Sequence, residues 1–254
     1  MKKLVFILLI LCLGTAGGVK ARMRSVYKLR AGVPPYEIIK KMLVGNNQAL
    51  KHGIKLYEPG ARPDITWLTD PDARIVPSLI SSGEGGIYTI RNFGSQLELS
   101  AGAVDYGVRH LLTPVLLITV DSGNEAVRLF MEGYGDLPGA LRRDLDHLHL
   151  ALSHVYDKND KKNKKMSFKE RLRKNVEANI DYQTDLAVVR YHDRVRSGRL
   201  VVLGTVLDFD NIYKHGSGRL IIININGERS PAKLRKMPML STIGREFANL
   251  CVGR

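Results

Sequence analysis

The stretch VLLITVDSGN, residues 115–124, indicates the fold class most directly. Its uninterrupted apolar and β-branched run from Val115 to Val120 predicts a strand that is buried on both faces. Asp121 ends the strand, and residues 124–131 have the pattern of a helix that follows it. A buried strand that leads directly into a helix is typical of a parallel sheet covered by helices.

Other segments on both sides of this stretch predict further elements of the same kind. Short β-prone runs alternate with turn residues and with helical patterns, which favours an α/β fold with a mainly parallel β-sheet flanked by helices. The predicted strands are Ile65–Leu68, Ile87–Ile90, Leu200–Leu207 and Leu220–Ile225. A helix is predicted over Gly102–Leu112, and another begins at Pro34-Pro35, has Ile38, Ile39, Met42 and Leu43 on one face, and is interrupted by Gly45-Asn46.

Polar and charged residues follow three of the predicted strands. Ligands of parallel α/β sheets collect at the carboxyl ends of the strands, so these residues form one candidate site. They are Asp70, Asp72, Arg74, Arg91, Asp121 and Asn124.

The first 21 residues have the pattern of a secretory signal peptide. Lys2 and Lys3 precede the apolar run Leu4–Leu13, and small residues lead to a cleavage site after Ala21. The sequence therefore predicts an exported protein, periplasmic or secreted. Residues 22–254 are predicted to form a single domain, with a basic arm over 22–34.

The chain is strongly basic, with a formal net charge of +14. Outside the cytoplasm such a protein meets anionic lipid headgroups and polysaccharides, so no specific nucleic acid is expected as a partner. The lysine-rich segment 158–174 is either a solvated insertion or a contact with an anionic surface. Only Cys251 remains after cleavage, which excludes an intramolecular disulfide and a site with several cysteine ligands.

Several segments, in order along residues 40–226, resemble motifs of the β-class carbonic anhydrases. Each motif is short, and the resemblance rests on their order, spacing and predicted context. The segments are Leu43–Asn46, Asp70–Arg74, Ile90–Ser95, Asp121–Asn124, Asn179–Gln183, Ser197–Gly204 and Gly204–Gly218.

This resemblance implies a β-carbonic-anhydrase-like fold and a homodimer or higher homo-oligomer. In that family two cysteines and one histidine hold a zinc ion, and here the matching positions contain Asp70, Asp121 and Asn124. Carboxylate and amide oxygens suit magnesium, calcium or manganese better than zinc. Asp72 and Arg74 match the aspartate–arginine pair that orients the metal-bound hydroxide in the family, so they are the candidate catalytic residues.

Three interpretations of this site follow. In the first, the protein is a zinc-free, non-catalytic homologue with no cofactor. In the second, Asp70, Asp121 and Asn124 bind a hard cation such as magnesium or calcium. In the third, the carboxylates position a water and act as a general base for metal-free hydration of carbon dioxide, with Arg74 or backbone N–H groups stabilising the nascent bicarbonate. We expect no tight zinc site, and the first interpretation is the main prediction.

Overall fold

The computed structural model describes residues 35–51, 62–80, 86–153 and 165–253. The predicted signal peptide, the basic arm and residues 158–164 of the lysine-rich segment lie outside these ranges. The chain divides into two compact units, residues 1–54 and 55–254, and the sheet belongs to the second. No helix among the described residues is both long and apolar enough to cross a membrane.

Helix α1, Pro35–Lys51, is the described part of the first unit. It begins at the predicted proline, but the predicted interruption at Gly45-Asn46 is wrong, because the helix continues through both residues. Glycine inside a helix costs only about 1 kcal/mol relative to alanine, and the residues around Gly45-Asn46 have enough helical propensity to offset that cost.

The second unit contains a five-stranded sheet in the described part of the chain, with strand order β2-β1-β3-β4-β5. The first four strands are parallel to one another, and β5 is antiparallel to β4. This arrangement confirms the predicted mainly parallel sheet. The strands are β1 (Ile65–Thr69), β2 (Ile87–Arg91), β3 (Val115–Asp121), β4 (Val201–Asp208) and β5 (Arg219–Ile225).

Helices connect the strands and cover the sheet. The region predicted as one helix over Gly102–Leu112 consists of a short α-helix, α2, and a π-helical turn at Tyr106–His110. Among the described residues of this unit, the α-helices are α2 (Ala101–Asp105), α3 (Glu125–Glu132), α4 (Gly139–Asp146), α5 (Leu148–Leu152), α6 (Phe168–Arg190), α7 (His192–Arg196), α8 (Pro231–Leu234), α9 (Pro238–Ser241) and α10 (Arg245–Cys251).

Strand β3 is the centre of the core, as its apolar run predicts. Leu116, Ile118 and Val120 point into the larger apolar cluster, whereas Leu117 points into a second cluster on the opposite face, which contains Trp67. This alternation follows from the two-residue period of a strand. Both clusters exclude water from β3, so the strand is held on both faces and on both hydrogen-bonded edges.

Helix α6 packs closely on β4 because Gly204 has no side chain. A Cβ atom at Gly204 would lie 2.5 Å from Thr184 Oγ1 and 2.7 Å from Ile180 Cγ2. The Thr184 hydroxyl donates to the Ile180 carbonyl at 2.7 Å, so it is not free to turn away. The close approach of this helix to the sheet therefore depends on glycine at position 204.

We expect Gly204→Ala to lower the free energy of unfolding by roughly 1–3 kcal/mol, since overpacking forces the helix away from the sheet. Urea unfolding followed by circular dichroism measures the change. The matched control is Gly102→Ala in α2, where nothing lies within 4 Å of the new Cβ atom. That variant should be unchanged or slightly stabilised. Equal stability of the two variants would contradict the packing argument.

Candidate functional site

The site lies where the sheet reverses its order of connection. The chain runs from β1 to β2 on one side of β1, and β3 lies on the opposite side of β1. At such a switch point a crevice opens at the carboxyl ends of the strands. Asp70 follows β1 directly and Asp121 is the last residue of β3. Asn124 is the N-cap of α3, three residues later. The fold therefore brings together Asp70, Asp121 and Asn124.

The amide of Asn124 joins the two carboxylates through hydrogen bonds. Its Nδ2 donates to Asp70 Oδ2 at 2.9 Å and to Asp121 Oδ1 at 3.4 Å. Its Oδ1 accepts from the backbone N–H of Val127 at 3.1 Å, which caps the helix. The cap determines the orientation of the amide, because only the oxygen can accept from an N–H group. The nitrogen therefore faces the carboxylates.

Asp70 is a buried carboxylic acid with a raised pKa. Its Oδ2 also accepts from the backbone N–H of Gly94 at 2.8 Å. Burial raises the pKa of Asp70 to about 6, although the bonds from Asn124 and Gly94 act in the opposite direction, and the nearby Asp121 and Asp72 add to the increase. Asp70 is thus half ionised near pH 6 and mostly ionised at neutral pH.

A loop after β2 delivers the N–H group of Gly94, and α6 holds that loop. Gly94 has φ of +82°, a backbone conformation that glycine adopts without strain. Asn179 Nδ2 donates to the Gly94 carbonyl at 2.8 Å, and Gln183 Oε1 accepts from the N–H of Leu97 at 2.8 Å. Gln183 Nε2 donates in turn to Asn179 Oδ1 at 3.1 Å, so the two side chains support each other.

Asp121 lies between the Asn124 amide and a guanidinium group. Its Oδ2 accepts from Arg74 Nη2 at 3.2 Å and from the N–H of Gly123 at 3.1 Å. Burial raises the pKa of Asp121, and Arg74 opposes that increase. The carboxylate is therefore partly compensated by the charge of Arg74, which it shares with Asp72, in addition to neutral donors.

Asp72 and Arg74 form a bidentate ion pair at the solvent-facing edge of the site. Arg74 Nη2 lies 2.6 Å from Asp72 Oδ2, and Arg74 Nε lies 3.1 Å from both carboxylate oxygens. The backbone N–H of Arg74 also donates to Asp72 Oδ1 at 2.7 Å. The hydrogen bond from Arg74 lowers the pKa of Asp72. The guanidinium also lies 4.4 Å from the centre of the Phe209 ring. Arg74 thus connects Asp72 with Asp121.

Arg91, the other basic residue in the predicted set, faces backbone atoms. Its guanidinium donates to the carbonyl groups of Asp70 at 3.4 Å, Asp72 at 3.2 Å and Ile75 at 2.6 Å. These bonds hold the loop that carries Asp70, Asp72 and Arg74 against β2. Arg91 therefore holds the loop through backbone carbonyls, and its positive charge also helps to lower the pKa of Asp72.

Gly94, Phe209 and Asp210 contribute to the site but were not predicted from the sequence as site residues. Gly94 donates to Asp70, Phe209 stacks on Arg74, and Asp210 Oδ2 accepts from Ser122 Oγ at 3.0 Å beside the site. Phe209 and Asp210 immediately follow β4, so the rule that placed the other site residues at strand ends also applies to them. Within the described ranges, no group of three or more His, Cys, Asp or Glu side chains is arranged to hold a metal ion.

Comparison with known proteins identifies the fold. No protein-family profile matches the chain, and no curated protein is significantly similar in sequence. Among solved structures, a tetrameric β-carbonic anhydrase from the filamentous ascomycete Sordaria macrospora is similar with a TM-score of 0.57 at 16% identity, over 74% of this chain and 95% of the other.

Two further solved structures of β-carbonic anhydrases are similar to this chain to about the same extent. The Coccomyxa β-carbonic anhydrase in complex with acetazolamide gives a TM-score of 0.56 at 18% identity, over 82% of this chain and 92% of the other. The β-carbonic anhydrase CafA of Aspergillus fumigatus gives 0.53 at 19% identity, over 74% and 86%. The chain therefore has the β-carbonic anhydrase fold.

Proposed function

We propose that the protein is an exported β-carbonic-anhydrase-like protein without a zinc site, and that it serves in binding or assembly as a non-catalytic homologue. The observation that carries this proposal is the orientation of Asn124. Asp70, Asp121 and Asn124 are the three positions where the resemblance places zinc ligands. The amide nitrogen of Asn124 faces the carboxylates of the other two. An N–H donor between two carboxylates occupies the place that a cation needs.

The donor set does not fit zinc. Zinc sites in proteins use thiolate and imidazole ligands, with carboxylate as a less frequent member, and the three positions contain two carboxylates and an amide. The amide oxygen of Asn124, its only ligand atom, accepts from Val127 and caps α3. Turning the amide toward a metal would break that cap and would leave the N–H of Val127 without its partner.

The same geometry argues against a hard cation. Two carboxylates in one crevice repel each other unless a positive group or a proton relieves the repulsion. Here Arg74 compensates Asp121, the Asn124 amide contacts both, and the raised pKa of Asp70 allows it to take up a proton. Arg74 pairs with both Asp72 and Asp121, and the neutral donors, with the proton that Asp70 binds below about pH 6, supply the further compensation in our proposal without magnesium or calcium.

Metal-free interconversion of carbon dioxide and bicarbonate is the second candidate, and one observation favours it. The pKa of Asp70 is raised to about 6, which is close to the value expected of an efficient general base near neutral pH. However, only 4% of Asp70 is exposed, and its Oδ2 already accepts two hydrogen bonds. A base in this environment has poor access to a reacting water, so we place this function second.

We further propose that the protein forms a homodimer or a larger homo-oligomer outside the cytoplasm. The similar enzyme of Sordaria macrospora is described as tetrameric, which supports self-association in general. Export rests on the N-terminal sequence pattern, and contact of the lysine-rich segment 158–174 with an anionic surface rests on its charge. Size-exclusion chromatography with light scattering tests the assembly state.

We expect no carbon dioxide hydration above the buffer background in stopped-flow measurements on the purified protein, as prepared and after chelation. A rate lost on chelation would replace our proposal with a metal-dependent enzyme. A rate that survives chelation but is lost in Asp72→Ala would favour metal-free catalysis. Asp136→Ala, at an exposed aspartate outside the site, is the control for a general effect of removing a carboxylate.

Asn124→Asp should create the cation site that the natural chain lacks. The new carboxylate can still accept from the backbone N–H of Val127, but it cannot donate to Asp70 and Asp121 as the amide does. We expect the loss of these two hydrogen bonds to lower the free energy of unfolding by roughly 1–3 kcal/mol. Calcium or magnesium should then raise the melting temperature of the variant, because a cation relieves three crowded carboxylates. Thermal unfolding with and without each ion, zinc included, provides the measurement.

The matched control for this variant is Asn211→Asp, which adds one carboxylate at an exposed position near the same end of the sheet. The natural chain and the Asn211→Asp variant should show no stabilisation by any of the three ions. An increase of several degrees for the natural chain would overturn the proposal that its acidic cluster needs no metal.

Asp70→Asn should remove the loss of folding stability that the ionisation of Asp70 causes as the pH rises. The folded protein binds a proton at Asp70 more tightly than the unfolded chain does, so ionisation of Asp70 reduces stability progressively from about pH 4 to about pH 6. Asparagine can still accept from Gly94 and Asn124. The unfolding free energy of the variant relative to the natural chain should therefore rise by up to about 3 kcal/mol between about pH 4 and pH 8.

Asp105→Asn provides a control of opposite sign for the pH profile. The hydrogen bond from Arg190 lowers the pKa of Asp105, and Tyr191 donates to the same carboxylate. Ionised Asp105 thus stabilises the fold above its ordinary pKa, and its replacement should cost more as the pH rises. Urea titrations at a series of pH values distinguish the two variants, and parallel profiles would contradict the assigned pKa directions.

A further inference from the structure

A basic cavity lies at the opposite end of the sheet from the acidic cluster. Its volume is about 300 Å³, and it is lined by Arg109, Leu112, Asp193, Arg194 and Arg199. The first two residues precede β3 and the other three precede β4, so the cavity sits at the amino ends of two parallel strands. The length of β3 separates it from Asp121 by roughly 20 Å.

The lining has an excess of positive charge. Three guanidinium groups face one carboxylate, that of Asp193, whose Oδ2 lies 3.5 Å from Arg109 Nη1. A further carboxylate nearby, Asp105, is already paired with Arg190 at 2.6 Å. Like charges gathered around one cavity repel each other, and a bound anion relieves that repulsion.

Two of the three arginines are held in place by the protein. Arg194 donates to backbone carbonyls on both sides of the cavity, including those of Val108, Leu112 at 3.3 Å and Arg199 at 3.2 Å. Arg109 Nη2 donates to the Arg190 carbonyl at 2.9 Å, and its guanidinium lies 5.3 Å from the Tyr191 ring centre. These contacts preorganise positive charge without an acidic partner for Arg194 in the described part of the chain.

Arg199 has donors available to a ligand. Its Nε donates to Ser197 Oγ at 3.0 Å, and within the described residues its two terminal nitrogens have no acceptor. A guanidinium with both terminal groups free matches the geometry of a phosphate or carboxylate group, to which it can donate two parallel bonds. Arg199 is therefore the group best placed to contact an anion directly.

The backbone beside the cavity is unusual. Arg109 belongs to the π-helical turn Tyr106–His110, and such turns occur frequently at functional sites. Leu112 has φ of +61°, which is rare for a residue with a side chain and has an energetic cost that the surrounding structure must offset. Both irregularities help to shape the same cavity, and Leu112 supplies an apolar wall that suits the carbon part of an organic ligand.

We propose that this cavity binds a small organic anion with a phosphate or carboxylate group, at a site that is independent of the acidic cluster. Arg199 and Arg109 contact the anionic group, Arg194 contributes positive potential and sets the shape, and Leu112 contacts the carbon part. The volume is at the lower end of the range of small-molecule sites, which favours a compact ligand. Asp193 competes with the ligand for Arg109.

The test is isothermal titration calorimetry of the full chain with methyl phosphate and with succinate, at constant ionic strength and with chloride as the reference anion. We expect one site per chain for at least one of the two anions, and the pair distinguishes a phosphate from a carboxylate ligand. Arg199→Gln should weaken binding by roughly tenfold or more, since it removes charge-assisted hydrogen bonds.

Two matched pairs of variants separate a built site from general electrostatics. Arg196→Gln removes the same charge from an exposed arginine that does not line the cavity, and it should leave the affinity within about twofold. Asp193→Asn should tighten binding because it releases Arg109, whereas Asp136→Asn should not. Failure of both anions to bind, equal weakening by the two arginine variants, or no gain from Asp193→Asn would overturn the proposal.

Discussion

Burial of strand β3 between β1 and β4 is the constraint on which both ends of the sheet depend. The strand is hydrogen-bonded on both edges and covered by apolar side chains on both faces, so its position is determined by the whole core. Its last residue, Asp121, is therefore held beside the end of β1. The residues before its first position are held just as firmly beside the start of β4. The sheet thus has the acidic cluster at one end of β3 and the basic cavity at the other.

At the acidic end of the sheet, other groups of this chain compensate the carboxylates. Asp121 is compensated by Arg74, and Asp70 is stabilised by neutral donors and has a pKa raised toward neutrality. The Asn124 amide links the two carboxylates and caps α3 at the same time. One small side chain thus joins the start of a helix to the ends of two strands. A cluster in which each group supports another is the basis of the binding or assembly role that we propose.

Local patterns in the sequence were sufficient to predict each described strand of the sheet. The β-prone runs of β1 to β5 and the turn residues between them identified all five strands to within one or two residues, because a strand has a short-range signature. The predicted break of α1 at Gly45-Asn46 was wrong, since glycine and asparagine lower helix propensity without forbidding a helix. The split of the 101–112 region into α2 and a π-helical turn also has no clear local signature.

Asp70, Asp72, Arg74, Asp121 and Asn124 could be named from the sequence because each follows a strand, and the ends of neighbouring parallel strands meet. The Asp72–Arg74 pair is local, so its spacing alone made contact plausible. The direction of the Asn124 amide, however, depends on the N–H of Val127, and the support of Gly94 by Asn179 spans 85 residues. The basic cavity likewise joins Arg109 to segments more than 80 residues away. The sequence by itself determined the fold class and the chemical groups at the strand ends; only the tertiary structure decided which atoms of those groups face each other, because that depends on hydrogen bonds between distant segments.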